Sequence, residues 1–322
     1  MKLPSSTRRE LIVGLAAAFA MPALAQSDKV VRVILPNATG SGVDAIVRAA
    51  QAALSKALGH PIVIDNQPGA GGIVGLQALA RSPADGYSLG VVSNNVVIFP
   101  SVYKSLPFDM PGDFTPIAVV GYTPVVLVVN AKVPAASSKE LIALLKARGG
   151  EMNFASGGNG TILHLATEMF LDEAGVKARH IPYKGVGPML TDLIGGQVDF
   201  ATAALPSVQP HLKSGALRAI GVATAQRVAA APEIPTFVEQ GLPNYTIDAW
   251  FGVIAPKGLP AAEVQRVHAA LETAFADATV AEAMAKQGNV ISIGPADKAM
   301  PFFRSEMARY AKLVKKAGVE LQ

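Results

Sequence analysis

Along this chain, short β-branched runs alternate with stretches whose apolar residues recur every three or four positions, and Gly, Asn, Pro or Ser mark most changes of period. Lys29-Val30-Val31-Arg32-Val33-Ile34-Leu35 reads as a strand. Val43 to Leu58 reads as an amphipathic helix, apolar at 43, 46, 47, 50, 54 and 58 and stopped by Gly59. The same reasoning predicts strand 61–65, helix 72–80 and strand 88–92. Further on it predicts helix 138–147, strand 152–155, helix 161–174, strand 179–182, helix 187–194, strand 198–202, helix 206–213 and strand 217–223. Strand–helix repetition of this kind predicts an α/β fold with parallel sheets covered on both faces.

Two apolar segments break the rhythm. Phe114 to Asn130 is interrupted by Gly121-Tyr122-Thr123-Pro124, and Asn244 to Pro256 is centred on Trp250. After the second, the pattern turns mainly helical, over 260–276, 279–287 and 296–317. Two extended crossings around a middle α/β block predict two lobes joined by hinge strands near 122–124 and 246–249. Lobe one would hold 27–121 plus 249–322, and lobe two 122–248.

The candidate chemistry lies in loops. Asn66-Gln67-Pro68-Gly69-Ala70-Gly71-Gly72 follows a β-branched run and precedes a helix. Glycines at a helix mouth leave backbone N–H groups bare at the positive end of the dipole, a socket for a carboxylate or phosphate. A glycine turn that merely lets helix and strand pack closely would look the same. Equivalent positions at strand ends hold Pro36 to Gly42, Ser93-Asn94-Asn95, Ala155 to Thr161, and Pro182 to Gly187. From these the candidate ligand contacts are Thr39, Gly40, Ser41 and Gly42, then Ala70, Gly71 and Gly72, then Ser93, and in lobe two Ser156, Gly160 and Thr161. Lys184 is the one cation among these loops, either an anion partner or a solvated side chain. Asp44 is read as a helix cap, His164 as a packed, hydrogen-bonded histidine, Asp199 as a loop or hinge hydrogen-bond partner, and Trp250 as core or hinge packing.

Composition narrows the class. There is no cysteine, so thiol chemistry and thiolate metal sites are excluded. Histidines 60, 164, 180, 211 and 268 form no pair at metal-ligand spacing on one helix, so no metal or cofactor is expected. Residues 1–25 read as an export signal, with Lys2, Arg8 and Arg9, an apolar stretch from Leu11 to Ala20, and Ala23-Leu24-Ala25 before the expected cleavage. An ordinary secretory signal is preferred; Thr7-Arg8-Arg9-Glu10-Leu11-Ile12 also resembles a twin-arginine signal. Removing Lys2, Arg8, Arg9 and Glu10 with the leader leaves 25 basic against 23 acidic residues. No basic cluster with interleaved aromatics is present, so nucleic acid is not an expected partner.

The residues resemble a known family, the Bug-type periplasmic solute-binding proteins of the tripartite tricarboxylate transporter system. The marks are Asn66 to Gly75, Ala84-Asp85-Gly86-Tyr87, Asp113-Phe114-Thr115-Pro116-Ile117, and Asn153-Phe154-Ala155-Ser156 with Gly160-Thr161 and His164-Leu165-Ala166. Ile181 to Gly185, Asp192 to Asp199, and Pro235-Thr236 through Trp250 complete them. The resemblance implies a two-lobed Venus-flytrap fold that captures a small organic acid in the periplasm and delivers it to membrane permease subunits, as a monomeric binding protein rather than an enzyme. It carries the family's binding loops onto Thr39–Gly42, Ala70–Gly72, Ser156–Thr161 and the region after Asp199. Where many members have an aromatic–aspartate–asparagine run, this chain has Thr202-Ala203-Ala204. Ala203 would then make the far wall of the cleft smaller and more apolar, against an amino-acid ligand and for a non-amino carboxylate. A different class is an exported nicotinamide-dependent oxidoreductase, since Gly40-Ser41-Gly42-Val43-Asp44-Ala45 fits the dinucleotide pattern and Asp65 ends the next strand. Against it, four residues separate the first strand from Gly40, where that fingerprint turns almost directly off its strand.

Overall fold

The computed structural model describes residues 29–247 and 249–319. The expected leader, residues 1–25, and Asp248 lie outside the described residues. The chain forms β1 (Val31–Leu35), α1 (Gly42–Leu58), β2 (Ile62–Asn66), α2 (Ile73–Ala80), β3 (Ser88–Ser93), the single turn α3 (Asn95–Ile98) and β4 (Phe114–Thr123). It continues through β5 (Val125–Asn130), α4 (Ser138–Ala147), β6 (Asn153–Ser156), α5 (Ile162–Ala174), β7 (Arg179–Pro182), α6 (Val186–Gly195), β8 (Phe200–Ala204), α7 (Leu205–Lys213) and β9 (Leu217–Val222). The last elements are β10 (Ala249–Pro256), α8 (Ala261–Ala276), α9 (Ala278–Gln287), β11 (Val290–Ile291) and α10 (Ala296–Lys316).

The strands make two sheets, ordered β11-β4-β10-β3-β1-β2 and β7-β6-β8-β5-β9. The chain passes from the first sheet to the second through Pro124 alone, and returns into β10. Proline offers no N–H to a ladder, which suits the one residue between two strands of different sheets. Both sheets are mixed rather than parallel throughout. β1 is parallel to β2 and β3, and β6 to β7 and β8. β10 runs antiparallel to β3 and β4, and β5 runs antiparallel to β8 and β9. β10 and β5, which run against both neighbours, are the first strands after the chain enters a sheet from the other lobe, so their direction is set by that entry and not by a βαβ crossover; the short edge strand β11 also runs against β4.

Period-two alternation sorts the strand residues between core layers. Val126 and Val128 face a cluster with Met189, Leu193 and Val208 from α6 and α7. Val125, Leu127 and Val129 face a second cluster with Phe154 and Phe170, and this cluster runs on into the other lobe through Trp250, Phe303 and Tyr310. α10 closes that side: Trp250 Nε1 donates to Glu306 (2.9 Å), and Asn94 Nδ2 donates to the Tyr310 hydroxyl (2.6 Å). Trp250 is therefore core packing, as read from the sequence, and also lies at the return crossing.

Candidate ligand-binding site

A cavity of about 70 Å³ lies where the two sheets face each other. Its walls are largely the starts of helices. Ser41, Gly42 and Val43 come from the start of α1, and Gly71 and Gly72 from the 3-10 turn leading into α2. Thr161, Ile162 and Leu163 come from α5, Gly185 and Val186 from α6, and Ala204 and Ser207 from α7. The first N–H groups of a helix have no acceptor within it, so five elements turn positive dipole ends toward one space, although some of those N–H groups are taken elsewhere: Ile162 N by Asn95 Oδ1, Leu205 N by Pro124 O and Gly72 N by Gly69 O. Pro36, Asn37, Ser93, Asn95, Thr123, Ala249 and Trp250 are among the rest of the lining. No Asp, Glu, Lys, Arg or His lines the cavity among the described residues. Three side-chain oxygens on its walls, Asn37 Oδ1, Thr123 Oγ1 and Ser207 Oγ, are buried without a hydrogen-bond partner in the protein. Burying such atoms unpaired costs about 1–3 kcal/mol each, which marks the place where a polar ligand would be rewarded.

Caps shape these helix starts. The Ser41 hydroxyl accepts from Asp44 N (3.3 Å), and Thr161 Oγ1 accepts from His164 N (3.3 Å) while donating to Gly158 O (2.8 Å). Each cap satisfies the third N–H of its helix, and at α5 the first, of Ile162, goes to Asn95 Oδ1. Asp44 has the capping environment expected of it. It accepts from Gly40 N (2.9 Å) and pairs with Arg48 (3.0 Å). Burial alone would raise its pKa, but hydrogen bonds from Arg48, Gly40 N and Asn66 hold it below the ordinary carboxylate value.

The two walls meet at glycines. A Cβ on Gly42 would lie 2.7 Å from Ala204 Cβ, one on Gly160 2.7 Å from Val102, and one on Gly185 2.8 Å from Ala38 Cβ. Gly71, at φ 68°, sits against Thr161 and the Asn159 carbonyl of the opposite lobe. Polar bridges reinforce the contact. Asn95 Oδ1 accepts from Ile162 N (2.8 Å), and the Tyr103 hydroxyl donates to Asn159 O (3.0 Å).

Of the residues expected from the sequence, Ser41, Gly42, Gly71, Gly72, Ser93 and Thr161 line this cavity. Thr39, Gly40, Ala70 and Lys184 are exposed beside it and do not line it. Ser156 and Gly160 sit behind the lobe-two loop, buried and hydrogen-bonded within it. Ala203 departs from expectation. β8 continues to Ala204 where the pattern ended it at residue 202, so Ala203 lies inside a strand and alternation turns its side chain into the α6/α7 core. Its neighbour Ala204 faces the cavity instead. Asp199 accepts from Asn153 N (2.7 Å), a loop hydrogen bond as read. Sequence reasoning placed Asn37 and Asn95 in strand-end loops without naming them as contacts, and missed Thr123, Ser207 and Trp250 as wall residues. Thr123 and Ser207 carried a readable signal: each stands next to or one residue past a proline (Pro124, Pro206) at an element boundary. The dinucleotide reading is overturned. Asp65, the residue it would place on a ribose, is held by Arg32 (2.7 Å) and Gln67 (2.8 Å), and Gly42 is packed against Ala204.

Residues 46–319 match the family model described as tripartite tricarboxylate transporter family receptor. Protein BugT of Bordetella pertussis is 36% identical over 294 residues, covering 91% of this chain and 90% of that protein. Among solved structures, an R. palustris protein with adipate superimposes with a TM-score of 0.87 at 31% identity, covering 91% of this chain and 98% of the other. MatC from Rhodopseudomonas palustris with bound malate gives 0.80 at 28%, covering 88% and 98%.

Proposed function

From the chain's membership of the tripartite tricarboxylate transporter family of receptors, we propose that it captures a small organic carboxylate between its lobes and presents it to the permease subunits of such a transporter. The observation that carries the ligand class is the cavity wall: five helix starts and, among the described residues, no charged side chain. Backbone donors and dipoles favour an anion without a counter-cation. An ammonium group would find no carboxylate among the described wall residues, and leaving it unpaired costs several kcal/mol. The ligand is accordingly a non-amino mono- or dicarboxylate, of the kind named with the adipate and malate complexes.

Export to the periplasm by the leader at residues 1–25, action as a monomer, and hinges at Pro124 and before Ala249 belong to the same reading. A thermal-shift panel setting adipate, malate and succinate against aspartate, glutamate and NAD tests it. Stabilisation by one or more of the organic acids, with none from NAD, is the expected result. Tight, selective binding of an amino acid would overturn the ligand class.

A further inference from the structure

We infer that His164 and His180 are positioning residues for the lobe-two anion loop, and that a proton taken up by this pair loosens the loop's hold on a carboxylate. The inference rests on the carboxylate-capture reading above. The two imidazoles stack at 3.8 Å between centroids and 9° between planes, with Phe154 stacked 4.8 Å from His180. Each ring holds one end of the loop Ser156 to Gly160. Gly160 N donates to His164 Nδ1 (3.2 Å), so that nitrogen carries its lone pair and the ring's proton sits on Nε2, 3.5 Å from Glu168 Oε1. His180 Nε2 lies 2.7 Å from Ser156 Oγ, which also donates to Gly158 O (3.0 Å) and accepts from Gly158 N (3.2 Å).

This loop is also the closure surface. Gly160, at φ 67°, abuts Val102; Asn159 receives the Tyr103 hydroxyl; and the next N–H, of Ile162, is taken by Asn95. A second proton on His164 would turn Nδ1 from acceptor into donor, facing the N–H of Gly160. The bond would be lost and two donors would oppose each other. A proton on one ring disfavours a second on the other, because like charges at this separation repel. Burial, with the His164 ring adding to it, pushes His180 down to about 3, so His180 resists that proton. Glu168, from α5 itself, is the charged group beside the pair, and Tyr103 of the opposite lobe reaches the Asn159 carbonyl of the loop. β6 contributes Phe154 and Ser156, whose charge does not change with pH.

Two readouts test the device. In ligand-free wild-type protein, the Gly160 amide resonance should shift together with the His164 imidazole between pH 8 and about pH 5. In His164→Asn, whose Oδ1 can accept from Gly160 N, it should not move. Calorimetric titration with adipate and with malate at both pH values then gives an affinity ratio for each protein. The ligand's own titration is common to both proteins, so the wild-type ratio should exceed the variant's by about threefold or more. Equal ratios, or a Gly160 amide that ignores His164, would overturn the inference. Failure of both acids to bind at either pH would count against carboxylate capture, while the amide titration would still decide the device, even if the variant does not fold.

Discussion

At the scale of single residues, the site separates side chains that touch the cavity from those that hold the cavity's backbone. Asn95 does both. It lines the wall, and its amide spans Gly71 O (3.4 Å) in one lobe and Ile162 N (2.8 Å) in the other. Asn95→Ala leaves a buried N–H of α5 without a partner only when the lobes are together, so it is expected to weaken carboxylate binding about tenfold with a smaller effect on the ligand-free melting temperature. Calorimetry beside differential scanning checks both halves. His180 supplies a pH dependence of stability. Its pKa is lowered to about 3 in the fold by burial and by His164, so in acid the unfolded chain binds a proton that the folded chain refuses. Stability should therefore fall as pH drops below about 6.5, by at most about 1.4 kcal/mol per unit, until the folded value is reached. Denaturant melts near pH 7, 6 and 5 should show a shallower slope in His180→Phe than in the wild type; an unchanged slope would remove His180 from the account. Capping at Asp44 and the hydrogen bonds of His164 to Gly160 and Glu168 were legible in the sequence because these partners lie within four residues, whereas the stack of His164 on His180 was not. Asn95 was placed in a strand-end loop, but its bridging role was not legible, since its partners are 24 and 67 positions away.

At the scale of elements, the helix starts decide the chemistry, and local patterns reached most of them. Glycine and hydroxyl residues ahead of α1 and α5 announced donor-rich turns. β8 was misjudged because Thr202-Ala203-Ala204 has no β-branched run to keep the strand pattern going; its length is set by pairing with β5, where Val125 opposes Ala204. One residue of strand turns a side chain from cavity to core. The single turn α3 escaped because Val96-Val97-Ile98 is apolar on every side, as a fully buried segment must be. The element contact between α1 and the end of β8 gives a test free of backbone strain. Gly42 has an ordinary helical conformation in its own lobe, and its only close obstruction is Ala204 Cβ across the cleft. Gly42→Ala should leave the ligand-free melting temperature nearly intact and weaken binding by tenfold or more in rough terms. Gly42→Ala with Ala204→Gly should recover most of that loss. Equal binding in the single variant would mean the lobes do not need this contact to hold ligand.

For the whole molecule, two-lobed organisation was visible in the interruption of the strand–helix rhythm at 114–130 and 244–256, because a chain crossing between sheets must stay extended and buried. Strand direction was not visible, since periodicity says which face a residue occupies and nothing about its neighbour's polarity. The cluster that runs from Phe154 through Val125 to Trp250 and Tyr310 came only with the structure, and it places the chain's one tryptophan on the cavity wall. On the proposed reading, a cleft with no charged side chain among its described wall residues captures a carboxylate through main-chain N–H groups. The direct measurement is a crystal structure of the protein with the organic acid that stabilises it most. Carboxylate oxygens are expected within about 3 Å of main-chain nitrogens at the starts of α1, α2, α5 or α6, with no Lys or Arg side chain on them. A carboxylate held instead by Lys184 or another cation would contradict it.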